Sequence, residues 1–387
     1  MRRPPPIVAA LPALAALACP SPALALEDGL ARTPPMGWGS WNRFDCRIDE
    51  RTVRETADAM VATGMRDAGY RYVLLDDCWM SPTRTPAGDL QPDAARFPSG
   101  IGSLGRYIHA RGLRFGLYQD LGARTCNGGP GPAGREREDL QQFADWGVDY
   151  VKVDYCFVDE AARADPARAY ARVRDAIRAT GRPMVFSICN WGRRRPWRWG
   201  PRVGHMWRTT YDIENNWRSV LHVADANNKL ARFAGPGRWN DPDGLEVGNG
   251  GMTAREDRAH MSLWAIMAAP LMAGSDVRTM SPVTRRTLLN PEVLAVDQDP
   301  AGRQGRRVVR RNGREVWVRR LRGGDRAVLL LNRRSRSTSI TATPRAMGLP
   351  ARDRRVRDLW ARRSLRTPLL LSARVPAHGA RLFRVPQ

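Results

Sequence analysis

Between about Pro34 and Val277 the chain repeats one rhythm: a short apolar or aromatic run, a polar turn, then a longer amphipathic stretch. Alternation of that kind is the mark of βα units, and it restricts the fold to a parallel sheet flanked by helices. The runs that read as strands are residues 36–41, 72–77, 114–120, 150–155, 184–191, 206–212, 238–243 and 271–275, with helical stretches such as 51–68, 140–146, 161–179 and 256–268 between them. This number of βα units closes most economically as an α/β fold of the (β/α)8 TIM-barrel type. The alternative is a doubly wound open sheet, but no Gly-rich phosphate loop follows any of the strands.

After Asp299-Pro300 the texture changes to short alternating runs at 316–321, 327–332, 337–342 and 380–385. Such runs predict a C-terminal antiparallel β-sandwich. The expected organisation is therefore a barrel over 26–300 and a sandwich over 301–387. Ahead of both, Arg2 and Arg3, an apolar segment over 7–18 and Ala23-Leu24-Ala25 read as a signal peptide over 1–25. Export follows from that reading. The apolar segment is too short to span a bilayer, and no later run reaches transmembrane length.

Charge is unevenly placed. The net charge is +24, and Lys152 and Lys229 are the only lysines, so 61 of the 63 cations are Arg. From Arg303 onward there are 24 arginines against Glu315, Asp325, Asp353 and Asp358, so nearly all the excess sits in the last fifth of the chain. A cationic domain attracts polyanions. An exported chain with no nucleic-acid module points to anionic polysaccharide or a cell envelope as the partner, with no nucleic acid.

In a TIM barrel, catalytic groups sit at the C-terminal ends of the strands. Here those ends carry Asp76-Asp77, Tyr118 with Asp120, Lys152 with Asp154, Asn190-Trp191, Arg208 with Asp212, and Asn240-Asp241-Pro242-Asp243. Acids in this setting hold a metal or run glycosidic chemistry, in which one carboxylate attacks the anomeric carbon and another protonates the leaving oxygen. None of the five histidines forms an H-x-H or H-E-x-x-H pair, so the expectation is no metal and no cofactor. Trp38, Trp41, Trp79, Tyr118 and Trp191 near strand ends fit the sugar reading, since flat rings stack on the apolar face of a pyranose.

Six segments then carry a resemblance. Met36-Gly37-Trp38-Gly39-Ser40-Trp41, Leu74-Leu75-Asp76-Asp77-Cys78-Trp79, Tyr150-Val151-Lys152-Val153-Asp154-Tyr155-Cys156, Trp207-Arg208-Thr209-Thr210-Tyr211-Asp212-Ile213, Trp239-Asn240-Asp241-Pro242-Asp243 and Leu263-Trp264-Ala265-Ile266-Met267-Ala268-Ala269-Pro270-Leu271 occur in this order. Together they resemble glycoside hydrolase family 27, the α-galactosidase family, over about residues 30–305. The resemblance implies a retaining exo-α-galactosidase with Asp154 as nucleophile and Asp212 as acid/base. It also implies that Asp76 and Asp77 bind the 4- and 6-hydroxyls, Lys152 the 3- or 4-hydroxyl and Arg208 the 2-hydroxyl. Trp38 is expected as the stacking platform, with Tyr118 and Asp243 completing the pocket. Disulfides Cys46–Cys78 and Cys126–Cys156 follow from the same match, leaving Cys189 over.

Three positions depart from the family pattern. Asn190 stands where many members have Glu against the 2-hydroxyl and can still bond that hydroxyl without the negative charge, and Gln119 and Gly244 are unusual neighbours of the pocket. These residues leave the alternative of the same machinery acting on an α-N-acetylgalactosaminide or β-L-arabinopyranoside, and the basic sandwich leaves that of a silent polysaccharide-binding protein.

Overall fold

The computed structural model describes residues 28–367 and 369–387, so the expected signal peptide over 1–25 lies outside the described residues. Eight parallel strands form one curled sheet: β1 (Met36–Gly39), β2 (Tyr72–Leu75), β3 (Arg114–Gln119), β4 (Tyr150–Val153), β5 (Val185–Ile188), β6 (Met206–Arg208), β7 (Trp239–Asp241) and β8 (Leu271–Ala273). Strand order runs β7-β6-β5-β4-β3-β2-β1-β8, so each strand lies beside its predecessor, with β8 returning to β1. The seam is closed by Leu245, just beyond β7: its amide donates to the Met272 carbonyl at 2.7 Å and its carbonyl accepts from the Gly274 amide at 2.9 Å. At the β1–β2 contact a Cβ on Gly37 would lie 2.3 Å from the Tyr72 carbonyl oxygen, so only glycine permits this approach.

Each expected strand contains an observed one, but the observed strands are shorter. β2 stops at Leu75 and β6 at Arg208, and the acids that follow leave the ladder to line the barrel mouth. Among the helices, the stretch expected over 161–179 is broken into Glu160–Ala164 and Pro166–Ala179. Pro166 has no amide hydrogen to continue the first helix, and the Asp165 side chain instead caps the second by accepting from Arg168 N. Thr253 and Glu256 form a capping box that starts the helix Ala254–Met267. This helix is buried over almost its whole length because the C-terminal domain covers its outer face.

The C-terminal region forms a six-stranded antiparallel sheet, order β14-β13-β16-β11-β10-β9, and a two-stranded sheet, β12-β15. Its strands are β9 (Arg306–Arg311), β10 (Arg314–Arg320), β11 (Arg326–Asn332), β12 (Thr338–Ala342), β13 (Arg354–Asp358), β14 (Arg363–Thr367), β15 (Leu371–Val375) and β16 (Ala380–Val385). Period-two alternation serves two cores at once. Val316, Val328, Leu330 and Phe383 face the second sheet with Ile340 and Val375, whereas Trp317, Leu329, Leu331 and Leu382 join the core of the barrel.

Arg319 of β10 anchors this junction. Its buried guanidinium donates to the carbonyls of Ala265 at 2.8 Å and Asp297 at 3.1 Å, near the C-terminal ends of the helices Ala254–Met267 and Pro291–Asp297. A cation at helix C-termini answers both the orphan carbonyls and the helix dipoles. The Asp297 carboxyl beside it is fully buried, and burial pushes its pKa up to about 8 against the pull of Arg319. Below about pH 4 both native and unfolded chains hold this proton. Above that the unfolded chain ionises while the native one resists, so this group's contribution to stability declines as pH climbs through the folded value of about 8. Asp297→Asn should therefore melt at a higher temperature than the parent, with a margin that widens between about pH 5 and about pH 8. Parallel melting-temperature curves across that range would refute this account.

Candidate active site

The C-terminal mouth of the barrel opens into a cleft of about 330 Å³. Its floor is a set of carboxylates arranged around two cations, the half-buried Lys152 and the buried Arg208. Lys152, the third residue of β4, places Nζ 2.8 Å from an Asp76 oxygen and over the Tyr118 ring at 5.3 Å from its centroid. Burial alone would lower the Lys152 pKa, but Asp76, with Asp154 adding to it, holds the ammonium well above its ordinary value. Arg208 ends β6 and reaches two acids from one nitrogen, Asp212 at 2.9 Å and Asp243 at 2.7 Å. Asp243 is fixed independently: its carboxylate accepts from the amides of Ile213 at 2.8 Å and Gly244 at 2.7 Å, and its backbone sits at φ 86. Asp77 in turn is held by the amide and side chain of Asn127, both at 3.1 Å.

Asp154 is the exception. It follows β4 directly, is buried, and has no cation within ion-pair distance among the described residues; its carboxylate accepts from its neighbour's amide, Tyr155 N, at 3.0 Å. Burial raises its pKa to about 6, with Asp76 and Asp212 adding to the rise and Lys152 and Arg208 opposing it. Asp212 is the reverse case: its side chain is 64% exposed, and although burial raises its pKa, Arg208 and Lys152 outweigh that and bring it below the ordinary carboxylate value. The two acids line the same cleft in different electrostatic states.

Most of the residues expected at the site meet in this cleft: Asp76, Asp77, Tyr118, Lys152, Asp154, Arg208, Asp212 and Asp243 all line it. Tyr118 presents a buried hydroxyl without a hydrogen-bond partner among the described residues. Two expected contacts do not line the cleft. Trp38 lies within β1, fully buried, with Nε1 donating to the Ser275 carbonyl at 2.9 Å, so it packs the barrel wall. Trp41, two residues beyond the end of β1, lines the cleft in its place. Asn190 is also fully buried; its Nδ2 donates to the Arg193 carbonyl at 2.7 Å, and its Oδ1 has no hydrogen-bond partner among the described residues. Gln119 and Gly244 do not line the cleft either.

The strand-end search missed Glu246 and Asn215. Glu246 is buried in the loop after β7, accepts from Asn42 and Asn249, and has its pKa raised by burial. Only its position five residues past β7 could have marked it. Cys46 is bonded to Cys78 and Cys126 to Cys156, joining the loops after β1 and β2 and those after β3 and β4; Cys189 is a free buried thiol. Asp120, Asp154, Cys126 and Cys156 draw together, but both sulfurs are spent in the disulfide and are no thiolate ligands.

A parallel barrel whose mouth pairs buried carboxylates with cations and aromatic walls defines a glycoside hydrolase. The family model described as Alpha galactosidase A matches residues 33–299, and the one described as Alpha galactosidase C-terminal beta sandwich domain matches 311–385. An α-galactosidase of Oryza sativa subsp. japonica is 47% identical over 361 residues, covering 93% of this chain and 86% of the relative. The α-galactosidase A of Cellvibrio japonicus is 44% identical over 380 residues, covering 92% of this chain and 93% of its own. The crystal structure of α-galactosidase I from Mortierella vinacea superposes with a TM-score of 0.91 at 34% identity, covering 93% of this chain and 98% of that one. The chain belongs to the α-galactosidase family of glycoside hydrolases, family 27.

Because Lys152 favours the ionised form of Asp154, Lys152→Met should move the Asp154 titration upward from about 6. Carboxyl carbon NMR of selectively labelled protein reads this directly, and an unmoved midpoint would rule out Lys152 as a determinant of that charge.

Proposed function

We propose that the chain is an exported, retaining exo-α-galactosidase that works by double displacement through a covalent galactosyl-Asp154 ester. The observation that carries this reading is the contrast between the two acids: a buried, unpaired Asp154 on the floor and an exposed Asp212 under Arg208 at the mouth. A nucleophile must meet the anomeric carbon deep in the pocket, whereas the acid must meet the leaving oxygen where the aglycone exits. Asp154 attacks the anomeric carbon while Asp212 gives its proton to the departing oxygen. In the second step Asp212 takes a proton from water, which cleaves the ester and restores both acids.

Galactose recognition rests on charge. Asp76 and Asp77 accept from the 4- and 6-hydroxyls, Lys152 donates to the 3- or 4-hydroxyl, and Arg208 contacts the 2-hydroxyl. Such charge-assisted bonds discriminate hydroxyl epimers strongly, because an epimer leaves a buried charge unpaired. Trp41 takes the stacking role first expected of Trp38. Paired rim-loop disulfides support export.

Asp154→Ala should abolish turnover, and azide should restore part of it by giving the β-galactosyl azide, the inverted product. Asp212→Ala should cost about 100-fold or more on poor leaving groups and far less on activated aryl galactosides, which leave without a proton. In the parent, kcat/KM should fall on the alkaline side near pH 6, where the free enzyme loses the proton that Asp154 holds, since Asp212 titrates below the ordinary carboxylate value. Equal losses on both substrate classes, or an alkaline limb far from that value, would remove these assignments.

The basic domain supports a second role, attachment to anionic polysaccharide or envelope. Several of its arginines are already neutralised: Arg307 and Arg333 serve Asp225 and Glu315, and Arg357 serves Glu292. Others face outward with like charges directly opposed, as Arg355 is by Arg366 across β13 and β14. Opposed like charges weaken a sheet. An external anion relieves that repulsion. Removing the domain would uncover the buried face of the helix Ala254–Met267, so the clean test is Arg355→Gln with Arg366→Gln. Adsorption to an anionic matrix at low salt should weaken in the double variant with melting temperature unchanged or raised, and unchanged adsorption would overturn the role of this face.

A further inference from the structure

Beyond the galactose pocket, the loop after β5 builds a shelf at the lip of the cleft. Trp191, which lines the cleft, stacks on Tyr211 with ring centroids 5.9 Å apart and planes 17° from parallel. Tyr211 precedes Asp212 and is 60% exposed. Arg193 lies against both rings, 5.1 Å from the Trp191 centroid and 5.5 Å from that of Tyr211, and donates to the Tyr211 hydroxyl from two nitrogens at 3.0 and 2.8 Å. Trp191 packs edge-on against the core residue Tyr155, whereas the exposed Tyr211 ring bordered by a guanidinium is a surface for a sugar ring.

The backbone here is strained in a way that turns charge outward. Trp191, Arg194 and Arg195 adopt φ of 55, 54 and 55, a left-handed conformation that costs energy in L-residues other than glycine. Gly192 between them permits a close approach: its Cβ would lie 2.4 Å from the Thr209 carbonyl oxygen. Arg193, Arg194 and Arg195 are all exposed in this loop. Tyr155, whose ring packs edge-on against Trp191, feels three cations: burial raises its pKa, and Arg193, Arg194 and Arg163 each pull it down. The floor of the cleft is acidic, with Asp212 and Asp45 reaching its mouth, while the loop after β5 carries the exposed arginines.

We propose that this shelf is the leaving-group site and that it selects α-galactosides whose aglycone carries an anionic group, a carboxylate or a sulfate. The inference rests on Asp212 as the acid, because the glycosidic oxygen must lie beside it and the aglycone then passes over the adjacent Tyr211. The floor repels an anionic glycone while the lip attracts an anionic aglycone, so the two charge zones orient one substrate in one direction.

The test compares kcat/KM for p-nitrophenyl α-galactoside and for three disaccharides: galactose α-linked to a neutral hexose, to a hexuronate and to a sulfated hexose. The parent should prefer the anionic aglycones over the neutral disaccharide by about tenfold at low salt, with the preference collapsing above about 0.5 M salt. In the Arg194→Gln, Arg195→Gln double variant and in Arg193→Gln that ratio should fall toward one, chiefly through KM; a ratio within each variant cancels any general loss. Which anion gains more distinguishes carboxylate from sulfate. Tyr211→Ala should raise KM for all three disaccharides. Turnover of the aryl galactoside with no anionic preference in the parent, or a preference that survives loss of the arginines, overturns the proposal. Absence of turnover on every α-galactoside overturns the galactosidase reading as well.

Discussion

Two cations, the half-buried Lys152 and the buried Arg208, make the barrel mouth possible. A ring of carboxylates there could not remain ionised in a buried setting by itself, because desolvation and mutual repulsion would each drive protons onto it. Lys152 neutralises Asp76, and Arg208 is shared by Asp243 and Asp212. That distribution leaves Asp154 without a direct partner, and burial raises its pKa.

The same physics recurs where the two domains meet. Arg319 answers the carbonyls of two helix ends, and Arg307 and Arg333 gather Asp225 of the barrel with Glu315 of the sandwich. An arginine fork makes several directed bonds from one charge, which suits it to these junctions better than lysine. Part of the basic character of the C-terminal domain is thereby internal. What faces outward, such as Arg355 opposite Arg366, is the fraction left for an external anion.

How much of this could be read in the sequence depended on how far chemistry followed a local pattern. All eight barrel strands were legible because each is a short apolar run before a polar turn. Strands β9, β13, β14 and β15 were not, since Arg306–Arg311 and Arg363–Thr367 carry arginines where an alternating strand would carry apolar residues, and both lie at sheet edges. The acids of the cleft were legible as strand-end residues. Trp38 was misplaced because a motif does not say which of its two tryptophans lies past the strand end, and the structure answers that with Trp41. Asn190 was misplaced for a different reason: its partner, the Arg193 carbonyl, exists only once the loop has folded back over it.

The resting electrostatics also bear on the order of events in the proposed cycle. In the open cleft Arg208 holds Asp212 ionised while burial favours a proton on Asp154, the opposite of what the first step needs. A galactosyl unit corrects this by its own binding. Its 2-hydroxyl competes for Arg208, and the sugar excludes water from Asp212; both changes raise the pKa of that acid relative to the nucleophile. Once Asp154 becomes an ester it has no negative charge, so the repulsion that favoured a proton on Asp212 disappears and Arg208 again favours the carboxylate. Asp212 is then a base at the moment a water must be deprotonated. In the proposed cycle, the arginine that opposes a proton on Asp212 in the first step is therefore what prepares the same residue for the second.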